Sequence, residues 1–328
     1  MVFIFSITIC YIKKLIYIVK MHKNALSGIG KTPLIKLSKV VPPNVANIWL
    51  KLEYLNPTGS YKDRMALAMI EGAEKRGDLK QGMTVVEYTG GSTGSALAFI
   101  CAVKGYDFHV ISSDVFADEK LKTMKIFGAN LEIIKSPSGK INSDLIKKMI
   151  ARANQLSKRD DYFFTDQLNN KDVIKGFEVM GNEIQDQVED PIDGFCASVG
   201  TAGAMMGVSN ILLESQSELK VVALEPDTAA YYSKGIKNGK HNVEGVGLGF
   251  DLPLLEKKNY NEARGVNEDE SRIMVRRLAK EEGIFAGTST GLNVVGALQL
   301  AKEMGPEKNI VTLACDSGLK YLNGDLYS

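Results

Sequence analysis

A large α/β protein with mostly parallel sheets and helices on both faces is predicted by three features of the sequence. Eight short apolar or β-branched runs recur along the chain, charged amphipathic stretches of helix length lie between them, and several strand-to-helix junctions are rich in Gly, Ser and Thr. The 328 residues give room for one large unit or two domains, at roughly 100–200 residues each. Hydrophobic residues make up 45% and charged residues 24%, a globular composition that excludes wholesale disorder. Forty basic and thirty-nine acidic residues leave a net charge of +1, which argues against a protein that grips nucleic acid through its phosphates.

The first twenty residues differ from the rest. Val2 to Ile12 is an apolar run, Lys13 and Lys14 break it, and Leu15 to Val19 resumes it. Such a run is short of the ~20 residues that span a bilayer, so no stable membrane insertion is expected. The lysines follow the apolar region instead of preceding it, so the pattern is not a secretory signal. A weak membrane-associating helix, an unrecognised leader and translated upstream sequence with Met21 as the true start are the three readings. The third fits, because globular organisation begins only near Gly28; residues 1–27 are expected to lie outside the fold.

From there the expected strands are Asn47–Tyr54, Thr84–Tyr88, Phe108–Ser113, Leu131–Lys135, Tyr162–Thr165, Gly194–Val199, Val221–Glu225 and Ile310–Cys315. Helical stretches include Tyr61–Arg76, Ser95–Lys104, Asn142–Leu156 and Glu268–Glu282. Repeated strand–helix–strand order implies parallel pairing. Cys10, Cys101, Cys196 and Cys315 form no C-x-x-C pair, which removes the usual zinc spacing and any disulfide framework and favours a reducing, cytoplasmic setting. The last three read as core residues. Only His22, His109 and His241 are present, so histidine-based and metal-based chemistry have few candidates, and no metal is expected.

In parallel sheets, ligands sit beyond the carboxyl ends of the strands, on the loops that enter helices. Tyr88-Thr89-Gly90-Gly91-Ser92-Thr93-Gly94-Ser95 follows a strand and opens a helix, where free N–H groups favour a carboxylate or phosphate. A plain tight turn is an equal reading of that loop by itself. A dinucleotide fingerprint with Asp114 as ribose acceptor is a weak one, since the glycines run G-G-x-x-G. Ser198-Val199-Gly200-Thr201-Ala202-Gly203-Ala204 offers a second anion cradle, or an ordinary turn. In Asn56-Pro57-Thr58-Gly59-Ser60-Tyr61-Lys62-Asp63-Arg64, a turn precedes a helix with Ser60 as its expected N-cap, which puts Lys62 in the first helical turn. A solvated surface lysine is the bland reading. Burial there would lower its pKa, as a Schiff-base lysine requires. One such lysine and two anion cradles point to pyridoxal phosphate.

From Gly28 to Tyr321 the chain resembles the cysteine synthase / cystathionine β-synthase family of pyridoxal-phosphate enzymes. The resemblance rests on Ile29-Gly30-Lys31-Thr32-Pro33-Leu34, the Asn56–Arg64 segment, Thr89-Gly90-Gly91-Ser92-Thr93-Gly94, Gly200–Ala204, Val243-Glu244-Gly245-Val246-Gly247-Leu248-Gly249-Phe250, Gly287-Thr288-Ser289-Thr290-Gly291 and Asp316–Tyr321, in family order. It implies the fold type II architecture, like the tryptophan synthase β chain: two doubly wound domains, residues 56–164 forming a smaller mobile one and residues 28–55 with 165–328 a larger one that binds the cofactor phosphate. It implies Lys62 as the Schiff-base and catalytic residue, and Ser92, Gly200, Thr201, Ala202, Gly203, Ala204, Gly245 and Ser317 around pyridoxal 5′-phosphate, with Ser317 on the pyridine nitrogen. Asp316 in that place would imply a different reaction type. Thr89, Gly90, Gly91, Ser92, Thr93 and Gln167 are implied for the substrate.

The chain departs from the family pattern at Gly90 (usually Ser), Ser92 (Asn) and Ala204 (Thr), and Asp166-Gln167-Leu168 is closer to the D-Q-Y of cystathionine β-synthases. The implied reaction is β-replacement through an aminoacrylate, O-acetyl-L-serine and sulfide giving L-cysteine and acetate, with Lys62 removing the α-proton. Phosphoserine or serine as donor, homocysteine as acceptor (cystathionine β-synthase), and cysteine desulfhydrase or serine dehydratase chemistry are alternatives on the same fold. A catalytically reduced homologue that binds a partner is the alternative of another class, and a dinucleotide oxidoreductase ranks last. A homodimer is implied, and a serine acetyltransferase is a candidate partner.

Overall fold

In a computed structural model, residues 23–137, 139, 143–237 and 239–328 are described. The readings of residues 1–20 and the Met21 start, with Cys10 and His22, lie outside the described residues. The packed chain begins before Gly28: Asn24 accepts the Leu26 N–H at 3.1 Å, capping a 3₁₀ turn at Ala25–Gly28, and Leu26 packs on the main core. Asn24–Ser27 therefore belong to the fold, because a short side-chain cap turns Leu26 inward.

Among the described residues, ten strands form two sheets. The first contains β1 (Leu34–Lys36), β2 (Asn47–Lys51), β7 (Gly194–Ser198), β8 (Lys220–Pro226), β9 (Glu262–Val266) and β10 (Asn309–Leu313), in the order β1-β2-β10-β7-β8-β9. Only β1 is antiparallel to its neighbour. The second contains β3 (Thr84–Tyr88), β4 (Asp107–Ser113), β5 (Asn130–Ile134) and β6 (Tyr162–Phe164), all parallel, in the order β5-β4-β3-β6. The helices are α1 (Lys62–Arg76), α2 (Ser92–Lys104), α3 (Asp118–Ile126), α4 (Ser143–Leu156), α5 (Asp172–Gln187), α6 (Gly203–Ser215), the single turn α7 (Tyr231–Lys234), α8 (Glu268–Arg277) and α9 (Thr288–Met304).

Burial follows position in the sheet. The central strands β7 and β10 are buried at every residue, as strands covered on both faces must be, whereas the edge strands β5 and β9 are mostly half-buried. The sequence reading missed the two edge strands of the first sheet, β1 and β9, because Leu-Ile-Lys is too short and Glu-Ala-Arg-Gly-Val too polar to stand out. Helix α8 ends at Arg277 and continues as a wider π turn to Glu282.

A buried polar network fixes the start of α1. Arg64, 4% exposed, donates through Nε to Glu53 at 2.7 Å and through its terminal nitrogens to Glu53 at 2.9 Å and Glu183 at 2.9 and 2.7 Å. Lys51 adds bonds to Glu183, Gln187 and the Thr32 carbonyl. Asn56 donates to Glu53 and accepts the Gly30 N–H. The motifs around residues 30 and 60 are thus two sides of one hydrogen-bonded cluster.

A second buried carboxyl positions Gln167. Glu87 on β3 accepts from the Tyr88 N–H, the Thr165 hydroxyl and the Gln167 N–H at 2.9, 2.7 and 3.1 Å. Burial outweighs these donors and pushes its pKa up to about 8.

Two outcomes are expected. Arg64→Met leaves the buried Glu53 without its cation and Glu183 with Lys51 alone, a change that costs about 3–5 kcal/mol in comparable sites and is read by chemical denaturation. Glu87 holds its proton more tightly folded than unfolded, so native stability falls as pH rises from its ordinary 4.5 towards about 8. In Glu87→Gln that part of the decline disappears, measured as the thermal midpoint at pH 5 and pH 8.

Candidate active site

The junctions that matter lie beyond the carboxyl ends of β2, β3, β7 and β10. Outside the named strands, three segments pair there. Tyr61 N–H donates to the Cys315 carbonyl and Ser317 N–H to the Gly59 carbonyl, both at 3.0 Å. Gly287 N–H donates to the Asp316 carbonyl and Gly318 N–H to Phe285, also at 3.0 Å. Helices α1 and α9 therefore begin on either side of residues 315–317.

Lys62 is the first residue of α1 and is 9% exposed. Ser60 does not act as the structural N-cap: that position is Tyr61, in helical conformation. The Ser60 hydroxyl accepts the Lys62 N–H at 3.2 Å, so the expected residue makes the capping bond while the helix itself begins one residue later. The Lys62 ammonium lies 4.8 Å from the Tyr61 ring centre. Desolvation lowers its pKa to about 8, against the opposing pull of Asp316.

The expected cradle shares a pocket with this lysine. Tyr61, Lys62, Ser198, Gly200, Thr201, Ala202, Gly203, Ala204 and Met205 line one shallow pocket. Three observations fit a bound phosphate ester here. The helix α6 starts at Gly203 without a side-chain cap, so its first N–H groups point to the pocket end. The Ser198 hydroxyl is buried with no partner among the described residues. Gly200 has no room for a methyl, which would collide with the Gly245 carbonyl oxygen. Gly245 thus closes the cradle from outside, and Gly247 N–H donates to Val199 at 3.2 Å to hold that loop. Ala202 is left-handed at φ 66°, a strained place for a residue with a Cβ.

The Thr89–Thr93 loop forms a second cluster, outside that pocket. Thr93 donates to the Gln167 amide oxygen at 2.8 Å, and Gln167 also donates to the Tyr88 carbonyl. The Phe116 ring fills the space a side chain at Gly90 would need, which accounts for the missing serine. Ser92 accepts from Lys320 at 3.0 Å, and this bond links the loop to the C-terminal turn.

Ser317 departs from expectation. Its hydroxyl accepts the Leu319 N–H at 3.3 Å and caps the 3₁₀ turn Gly318–Tyr321, because a residue just before a turn bonds locally. Asp316 is buried with one carboxylate oxygen on the Tyr321 hydroxyl at 2.8 Å and the other against Gly287. Sequence reasoning missed Ser289: it is 5% exposed, in the first turn of α9, and its hydroxyl bonds the Cys315 thiol next to Lys62. The signal was present in Gly287-Thr288-Ser289-Thr290-Gly291, a small-residue helix start like the other two. Burial pushes the Cys315 and Cys196 thiols up to about 12, so both stay protonated packing groups. His109 bonds Tyr162 and Glu132, and His241 holds the Gly247 carbonyl.

Comparison with known proteins agrees with this geometry. Residues 25–316 match the family model described as "Pyridoxal-phosphate dependent enzyme". The chain is 40% identical over 307 residues to a cysteine synthase of Staphylococcus aureus, covering 93% of this chain and 97% of the relative. It is 35% identical over 312 residues to a probable cysteine synthase of Bacillus subtilis, covering 94% and 99%. Among solved structures, the cysteine synthase of Entamoeba histolytica superposes with a TM-score of 0.88 at 31% identity over 94% of this chain and 92% of that one. O-ureido-L-serine synthase gives 0.87 at 32% identity, covering 94% and 95%. With Lys62 and the Gly200–Ala204 turn lining one pocket, this chain belongs to the cysteine synthase family of fold type II pyridoxal-phosphate-dependent enzymes.

Proposed function

We propose that the protein exchanges the β-substituent of an amino acid, converting O-acetyl-L-serine and hydrosulfide to L-cysteine and acetate. The Cβ–O bond breaks with its electron pair leaving on acetate, and a Cβ–S bond forms from the sulfur lone pair. The observation that carries this reading is the single pocket that joins Lys62 to Gly200–Ala204. The relatives named cysteine synthase support the choice of substrates.

Within that reading, Lys62 would hold the cofactor through its Nζ, and the Gly200–Ala204 N–H groups with the Thr201 and Ser198 hydroxyls would hold its phosphate. Gly245 backs the cradle. Ser289, rather than Ser317, is the hydroxyl we assign to the ring nitrogen, because Ser317 is committed to its own turn. Pyridoxal phosphate, when bound, supplies an electron sink that acidifies Cα–H. A hydroxyl on the ring nitrogen keeps that sink weaker than a carboxylate would, which suits elimination and β-addition. Lys62 Nζ then takes the proton from Cα and later returns it. Thr89–Thr93 hold the donor carboxylate, Ser92 reaches both donor and cofactor, and Gln167 orients Thr93.

We further propose that residues 56–164 close as a smaller unit on residues 28–55 and 165–328; the separate four-stranded sheet supports this. Lys120 on α3 pairs with Glu244, and Asn323 donates to Glu119, so polar contacts already bridge the two. A homodimer, a cytoplasmic location and docking of a serine acetyltransferase belong to the same reading. Among the described residues no helix is long and apolar enough to cross a membrane.

The test is the visible absorption of the purified protein loaded with pyridoxal phosphate. A cofactor band that shifts with O-acetyl-L-serine and recovers with sulfide is the expected result; a band indifferent to O-acetylserine overturns the donor assignment. Lys62→Ala loses the band's lysine-linked form and turnover, and normal turnover in that variant would refute the mechanism. Gly200→Ala, by pushing against the Gly245 carbonyl, lowers cofactor affinity at least about tenfold by equilibrium titration, a loss of roughly 1.4 kcal/mol. Because Lys62 must be neutral to react and its pKa is about 8, the rate of cofactor capture by apoprotein rises with pH. The gain is about tenfold between pH 7 and pH 9.

A further inference from the structure

The first sheet opens at the end that carries the site. Strands β7 and β10 pair with each other only at Gly194 with Ile310 and Phe195 with Val311, although each pairs over five residues with its neighbour on the other side. Continued in the same register, the parallel ladder would take the Ser198 N–H to the Leu313 carbonyl. One side chain stands between those two groups instead. Asn293 accepts the Ser198 N–H at 2.7 Å and donates to the Leu313 carbonyl at 2.8 Å. The Thr312 hydroxyl likewise donates to the Cys196 carbonyl, at 2.7 Å. The rungs nearest the site are thus side-chain bonds, and the inserted amide holds the strand ends further apart than a direct peptide-to-peptide bond would.

Asn293 is fully buried on α9, four residues after Ser289 and so on the same face of the helix. Its amide also donates to the Cys315 sulfur at 3.3 Å, the atom that Ser289 bonds. The Cys315 carbonyl in turn accepts the Tyr61 N–H, next to Lys62. One amide therefore joins three parts of the pocket: Ser198 at the head of the cradle, Ser289 at the ring end, and the turn that carries Lys62. A buried amide with both donors and its acceptor engaged is held in one orientation, and it fixes the groups it touches.

We propose that Asn293 is a positioning residue for pyridoxal phosphate: its amide spaces the carboxyl ends of β7 and β10 and so sets the distance from the phosphate cradle to Ser289 and Lys62. This rests on the reading that the Gly200–Ala204 turn holds the phosphate. The cradle is built within one segment and backed by Gly245. A ligand that touches only the cradle is therefore indifferent to the spacing, whereas one that spans the gap depends on it.

The experiment titrates the apoprotein with pyridoxal phosphate and, separately, with inorganic phosphate, by calorimetry. Wild type is expected to bind both, phosphate in competition with the cofactor. Asn293→Leu keeps nearly the same size and removes the bonds, so cofactor affinity should fall about tenfold or more while phosphate affinity stays within about threefold of wild type. Asn293→Gln keeps an amide for the strand ends but lengthens it by a methylene. It should keep a higher thermal midpoint than Asn293→Leu and still lose cofactor affinity selectively. Unchanged cofactor affinity in either variant overturns the proposal, as does an equal fall for cofactor and phosphate, which marks a merely structural role. A wild type whose cofactor binding phosphate does not compete with overturns the cradle reading, and the proposal with it.

Discussion

The buried pairing of Arg64 with Glu53 and Glu183 is the constraint on which the site's geometry depends. Arg64 sits two residues beyond Lys62, so whatever holds its guanidinium also fixes the first turn of α1. Glu53 ties that turn to the end of β2, and Glu183 ties it to α5 and, through Lys51, to β2 again. A flat fork of donors meeting two carboxylates permits few orientations, which a hydrophobic contact of equal size would not restrict. Such buried ion pairs contribute little net stability over well-packed apolar groups. What this one contributes is position.

Position in turn sets the chemistry of Lys62. The loss of water acts most against its charge and the positive end of α1 adds to it, while Asp316 acts for it. Burial prevails but not completely, and the amine is left near neutrality within reach of physiological pH. The thiol of Cys315 contributes no ionised sulfur, since the same burial keeps its proton on. The site is therefore electrostatically asymmetric: uncapped N–H groups at the starts of α2 and α6, a poised amine at Lys62, and the buried carboxylates Asp63 and Asp316, the latter turned towards Tyr321.

Bringing these parts together needs segments far apart in sequence. Residues 59–61, 285–287 and 315–317 pair edge to edge, so the starts of α1 and α9 flank the end of β10. That small ladder explains why Ser289 reaches the neighbourhood of Lys62 while Ser317, closer to the ladder, bonds its own turn. Close packing supplies the rest: Gly200 against Gly245 and Gly90 beneath Phe116 leave no volume for a side chain. Each glycine is set by a neighbour from a remote part of the chain.

By itself the sequence determined the α/β class, every strand of the second sheet and the interior strands of the first, the lysine at a helix start and the two Gly-rich turns. These depend on local periodicity and turn chemistry, which act over a few residues. Strands β1 and β9 escaped notice because Leu-Ile-Lys is too short and Glu-Ala-Arg-Gly-Val too polar to stand out, and their pairing comes from the sheet beside them. Tertiary structure alone decided that the cradle and Lys62 share one pocket, that the Thr89–Thr93 loop meets Gln167 and Lys320, and that Ser289 rather than Ser317 lies at the buried face. Those outcomes depend on contacts across tens to hundreds of residues. Adjacent positions such as Asp316 and Ser317 are chemically alike to a reader of sequence, and only the fold tells which way each side chain turns.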